Sequence, residues 1–245
     1  MKEEDIVQIR FFCKDDRIAE AEYLSVEINE GLNFLNIVNL KLNKNFSLSH
    51  FICNEVIIKI YLKGKLMLLT CNSLTYEVKD DSTIIFKLNE IYTDEIYTFN
   101  QDYLDVFYGW QNGREYTWRD FKDKEEKESW LRCCCFWSGV PHSLGKMNNY
   151  ILKDEELLKT PLDLHCLLSE VFFGKRGYFG SEINAFIDCL INIQQNAKDN
   201  FDNIKVIINN YDDINKKMSR NIGYENYLIQ ISMELEKHGL QVITN

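Results

Sequence analysis

The run Gly177-Tyr178-Phe179-Gly180-Ser181-Glu182-Ile183-Asn184-Ala185-Phe186-Ile187-Asp188-Cys189-Leu190 sets the reading of the second half of this chain. Two glycines bound an aromatic turn, and Ser181 stands where a helix cap belongs. A helix turns about 100° per residue. On that wheel Ile183, Phe186, Ile187, Leu190 and Ile191 gather on one side, which is expected to face a core. Asn184, Asp188, Asn192 and Gln195 fall on the other side, with Ala185 at its edge. That outer face carries one acid and no lysine or arginine. Solvated helix faces usually mix both charge signs in i,i+4 pairs. A small polar face with a single carboxylate is one that a partner can approach closely.

The flanking sequence alternates strand and helix signals. Residues 149–153 read as a short strand. Thr160-Pro161-Leu162-Asp163 starts a helix, with a threonine cap, a proline that fits the first turn and an acid near the free amides. Leu164, Leu167, Leu168, Val171 and Phe172 follow at helical spacing. Beyond the quoted run, 205–208 is a buried-type strand and 211–217 a short helix. Residues 224–237 form a longer helix closed by His238-Gly239, and 240–244 a last strand. Strands joined by helical crossovers imply a small parallel sheet.

This segment resembles the barstar family of ribonuclease inhibitors. The resemblance rests on Asp163-Leu164-His165, then Tyr178-Phe179-Gly180, then the helix Glu182 to Leu190, in that order and at close spacing. It covers about residues 148–245. It implies an α/β domain with a three-stranded parallel sheet and about four helices, and a protein that binds a basic ribonuclease or nuclease toxin and is not itself an enzyme. The family's inhibitory helix enters the nuclease active site, and an acid on it sits where a substrate phosphate would; Asp188 takes that role. Tyr178 and Gly180 match turn positions that contact the nuclease, and Glu234 falls near an acidic position on the last long helix. Three positions depart from the pattern. Asn184 stands where the family often has an acid, Ile187 replaces a large aromatic, and Glu182 replaces an asparagine. The expected partner-binding set is therefore Asp188, Tyr178, Gly180, Glu182, Asn184, Ile187 and Glu234.

The first half reads differently. Val56, Ile58, Ile60 and Leu62 alternate with Ile57, Lys59, Tyr61 and Lys63, a period of two. Lys63-Gly64-Lys65 signals a turn into a strand over 66–70. Asp80-Asp81-Ser82 separates strand signals at 75–79 and 83–88, and 6–13 and 37–42 add two more; 17–23 fits strand or short helix. An α+β domain over 1–147, mainly antiparallel β and of unknown role, is expected. All four tryptophans (Trp110, Trp118, Trp130, Trp137) lie in its last third and read as core. The charged run 120–128 between them reads as a solvated helix face or loop. A boundary is placed near 146–148.

The chain has 245 residues and a formal net charge of −10. Neutralising phosphates takes clustered lysine and arginine, so direct nucleic-acid binding is not expected, and an acidic surface suits a basic partner. The apolar runs are short of a membrane span, and the first five residues lack the apolar stretch of a secretion signal, so the cytoplasm is the expected compartment. Eight cysteines are present, three of them consecutive at Cys133-Cys134-Cys135. Zinc sites use paired ligands two to four residues apart; this spacing is absent, and buried reduced thiols are expected, with no metal and no cofactor. His165 reads as structural. A non-enzymatic adaptor with the same fold and a non-nuclease partner is the alternative function.

Overall fold

The computed structural model describes residues 6–29, 32–52, 54–93, 98–145, 147–153, 157–196, 201, 203–220 and 225–245. The chain divides into two compact units, Met1–Glu115 and Tyr116–Asn245. The boundary expected near 146–148 falls inside the second unit.

Among the described residues the first unit is an eight-stranded antiparallel sheet with one α-helix. Its strands are β1 (Val7–Cys13), β2 (Asp16–Ala21), β3 (Tyr23–Asn29), β4 (Leu32–Val38), β5 (Lys41–Leu42), β6 (Glu55–Leu62), β7 (Lys65–Val78) and β8 (Thr83–Thr93), and the helix is α1 (Gln101–Gln111). The spatial order is β3-β4-β8-β7-β6-β1-β2-β5. Alternation does what the period of two requires: Val56, Ile58, Ile60 and Leu62 of β6 are fully buried, while the residues between them are partly open. Lys63 (φ 47°) and Gly64 (φ 82°) form a two-residue turn with both φ positive, which matches the twist of the β6–β7 hairpin. Between β7 and β8 the Asp80 carboxylate accepts from the backbone amides of Ser82 and Thr83, both at 2.8 Å. The segment 17–23 is strand through Ala21. The strand expected over 37–42 is instead two: β4 ends at Val38, and Asn39 (φ 54°) turns the chain before β5. Helix α1 buries Leu104, Phe107 and Trp110. Its Gln101 reaches the edge strand β3, accepting from the Val26 amide at 3.2 Å and donating to the Leu24 carbonyl at 3.3 Å.

The second unit alternates helix and strand. It contains α2 (Lys124–Ser138), β9 (Asn149–Leu152), α3 (Pro161–Phe173), α4 (Ile183–Asn196), β10 (Lys205–Ile208), α5 (Tyr211–Met218), α6 (Tyr227–Lys237) and β11 (Gln241–Thr244). The three strands form a parallel sheet with β10 in the centre. The order strand, two helices, strand, two helices, strand matches the element order expected from sequence. The final long helix begins at Tyr227; Tyr224 lies outside the described residues.

Residues 116–147 belong to this unit through specific bonds. Trp118 donates from Nε1 to Glu170 at 2.9 Å, and Arg119 pairs with the same carboxylate at 2.6 Å. Lys127 of α2 reaches Asp163 of α3 at 2.6 Å. The Asp163 side chain is wholly buried and that of Lys127 is 15% exposed. Its other oxygen accepts from the amides of Lys159 (3.0 Å) and Thr160 (2.8 Å) and from the Thr160 hydroxyl (3.0 Å). The acid expected near free amides is thus half of a capping box and half of a buried ion pair. The run 120–128 opens α2, with Asp123 as its cap. Trp110, Trp118 and Trp130 are buried, whereas Trp137 is half-buried with the Arg176 guanidinium 4.5 Å above its ring.

Candidate functional site

The turn before α4 is built by its glycines. A Cβ on Gly177 would lie 2.3 Å from the Phe173 Cβ and 2.7 Å from the Ser169 carbonyl oxygen. Gly180 has φ +84°, and a Cβ there would lie 2.3 Å from the Phe186 nitrogen. Both positions therefore need the absence of a side chain, and Gly180 also needs the left-handed backbone. Between them Phe179 is fully buried against Phe172, Phe173 and Phe186, and its amide donates to the Ser169 hydroxyl at 2.9 Å. Tyr178 is half-buried and hydrogen-bonded to Ser181; burial raises its phenol above the ordinary range. Ser181 stands two residues before the first residue of α4. The helix starts at Ile183, and the first turn closes from the Phe186 amide to the Glu182 carbonyl at 2.9 Å.

The buried face of α4 is Phe186, Cys189, Leu190 and Ile193. This corrects the expected stripe. Ile183 and Ile187 are only partly buried, and Ile191 is 39% exposed. The reason is geometric: Ile191 lies about 140° around the helix from Phe186, while Cys189 packs inward as a small hydrophobe, its thiol pushed up to about 12 by burial. The outward surface carries exposed Glu182, Asn184, Asp188, Ile191 and Gln195, with Ile187 at its flank. Among the described residues Asp188 has no ion pair and no side-chain hydrogen bond. Asn192 is not a free surface amide, as expected, but holds a neighbouring loop: its Nδ2 donates to the Pro141 carbonyl at 2.7 Å and to His142 Nδ1 at 3.0 Å.

Six of the seven expected residues thus lie on α4 or its launching turn. The seventh, Glu234, stands on α6, with its carboxylate committed to Lys237 (3.1 Å) and near His238 (3.8 Å). It is the least available of the three carboxylates in the expected set.

His165 lies wholly inside the unit. Its Nε2 meets the Tyr227 hydroxyl at 2.5 Å, and among the described residues its buried Nδ1 has no hydrogen-bond partner. Burial lowers its pKa to about 3, so the ring is neutral. This histidine ties α3 to α6. Cys133 and Cys134 are buried and Cys135 is partly so; none of the three is in a disulfide among the described residues, and Cys53 lies outside them. Among the described residues no group of three His, Cys, Asp or Glu side chains gathers as a metal site, and no helix is long and apolar enough to cross a membrane. In the first unit a polar cleft of about 380 Å³ opens beside β1 and β2. Its Arg17 pairs with Glu20, and its Lys41 lies near Glu22.

An exposed carboxylate on a rigid helix, reached through a tight aromatic turn, can dock into a cationic pocket. It can there accept charge-assisted hydrogen bonds, bidentate from arginine. No protein-family model, curated protein or solved structure matches the chain.

Proposed function

We propose that the second unit is a barstar-like inhibitor that blocks the active site of a ribonuclease with the outer face of α4. The observation that carries this reading is Asp188: an exposed acid without a partner among the described residues, centred on a helix that the Gly177–Gly180 turn and the Phe179 cluster hold rigidly. A ribonuclease gathers cations to stabilise phosphate charge. A preorganised carboxylate meets them without losing the entropy of ordering a loop. The order strand–helix–helix, twice, then strand, around a three-stranded parallel sheet, supports the same reading. The chain would act as a binding protein, with no RNA hydrolysis of its own.

A second reading keeps the fold and changes the partner. The second unit holds 16 basic and 19 acidic residues, so its net charge is modest. Asn184 adds no charge to the outer face, and Ile187 and Ile191 make part of it apolar. These features favour a less basic partner and an adaptor role.

Incubating the full chain with purified basic bacterial ribonucleases and following RNA cleavage separates the readings. Stoichiometric loss of cleavage supports the inhibitor. Undiminished cleavage across the set refutes it and favours the adaptor.

A further inference from the structure

The segment between α2 and β9 has its own anchorage. Gly139, at φ +74°, ends α2 and turns the chain out of the helix, and its amide still bonds the Cys135 carbonyl at 2.9 Å. At the other end the Tyr150 hydroxyl donates to the Gly145 carbonyl at 3.2 Å. In the middle Asn192 clips the loop to α4.

The chemistry of that clip determines which way the groups point. The Pro141 carbonyl can only accept, so the Asn192 –NH2 must face it. Its second proton then goes to His142 Nδ1, which must accept. The Asn192 carbonyl oxygen is used as well, accepting from Asn196 at 3.2 Å. With Nδ1 occupied as an acceptor, the neutral imidazole carries its proton on Nε2 and can donate that N–H to a partner. His142 is exposed, and Val140 beside it is 43% exposed. Asn192 is one turn along α4 from Asp188, so the clip places the loop next to the candidate docking face.

We infer that the loop 139–145 is part of that docking face. Val140 and Ile191 supply an apolar rim beside Asp188, and His142 supplies a fixed Nε2–H donor. The occupant is the active-site mouth of a basic nuclease: its cations take Asp188, and a backbone carbonyl or carboxylate on its rim takes the imidazole N–H. Asn192 is a positioning residue that acts through His142. This inference rests on the inhibitor reading. It goes beyond that reading because the loop lies upstream of the segment on which the family resemblance was drawn.

The test uses the full chain and a purified basic bacterial ribonuclease, with inhibition constants for Asp188→Ala, His142→Ala, Asn192→Ala and the His142→Ala/Asn192→Ala double variant. Asp188→Ala should weaken inhibition by at least ~30-fold. His142→Ala and Asn192→Ala should each weaken it by roughly 10-fold, and the double variant by no more than either, because both act through one imidazole. Nitrogen-15 NMR of the free protein should show His142 as the Nε2–H tautomer, and a mixture in Asn192→Ala. If Asp188→Ala fails while the three loop and clip variants inhibit as wild type, the loop is not in the face and the inhibitor reading still stands. A His142 Nδ1–H tautomer in the wild-type protein overturns the clip directly. If the wild-type chain inhibits no such ribonuclease, both the inhibitor reading and this inference fall.

Discussion

Replacing Lys127 by methionine removes the charge that faces Asp163 while keeping most of the side chain's length and packing. In the native protein the Asp163 carboxylate is completely shielded, and Lys127 is its charged partner at 2.6 Å. Breaking a buried pair by deleting one partner costs about 3–5 kcal/mol, because the remaining charge stays desolvated. Two backbone amides and a hydroxyl still donate to the Asp163 oxygen not bonded by Lys127, which places the expected loss near the lower bound, about 3 kcal/mol. For a unit of this size that corresponds to a fall in Tm of roughly 10 °C. Urea denaturation followed by tryptophan fluorescence is a suitable assay, since three of the four tryptophans lie in the second unit. Adding Asp163→Asn to Lys127→Met should recover part of the loss, because a neutral amide needs no cation yet can still accept from Thr160. A loss below about 1 kcal/mol would mean that Asp163 is not the desolvated charge described here, and the integration of α2 with α3 would have to be argued on other contacts.

Bonds from Trp118, Arg119, Lys127, Pro141 and His142 reach α3 or α4, so a fragment of residues 116–245 should unfold cooperatively, whereas 148–245 should bind hydrophobic dyes and melt without a sharp transition. Gly180→Ala must push a Cβ into the Phe186 backbone, so it should cost at least ~2 kcal/mol by thermal denaturation, with exposed Gln195→Ala as a near-neutral control. His165 takes up a proton near pH 6.5 when unfolded but only near pH 3 when folded. Between those values the unfolded state binds more protons, so stability should fall by up to ~1.4 kcal/mol per pH unit as pH drops below about 6.5, and His165→Gln should flatten that slope in urea titrations.

Local chemistry was readable where one short segment determines the outcome. Lys63-Gly64 can make a two-residue hairpin turn by itself, and Thr160-Pro161-Leu162-Asp163 contains its own cap, first-turn proline and capping acid. The buried stripe of α4 was read only in part, because a cysteine and an isoleucine gave no reliable sign of which would face inward. Helix α3 is buried on nearly every side, so its His165 could not be separated from the core by periodicity. The joining of residues 116–147 to the second unit depends on pairs 36 to 52 positions apart, such as Lys127 with Asp163 and Trp118 with Glu170, and no local pattern encodes them. The same holds for the Asn192 clip. An asparagine on the rim of a helix wheel looks solvated until the loop that it holds is in place.

The outer face of α4 stands or falls on one side chain. The inhibition constant of the full chain against a purified basic bacterial ribonuclease should be measured for wild type, Asp188→Ala and Asp188→Lys. Asp188→Ala should lose at least ~2 kcal/mol, mainly through faster dissociation, because the cationic pocket is left unpaired. Asp188→Lys should abolish inhibition by placing like charges together, and the thermal stability of both variants should stay within ~0.5 kcal/mol of wild type, since the carboxylate is exposed and makes no bond among the described residues. Inhibition by Asp188→Ala equal to that of the wild-type chain would contradict the account.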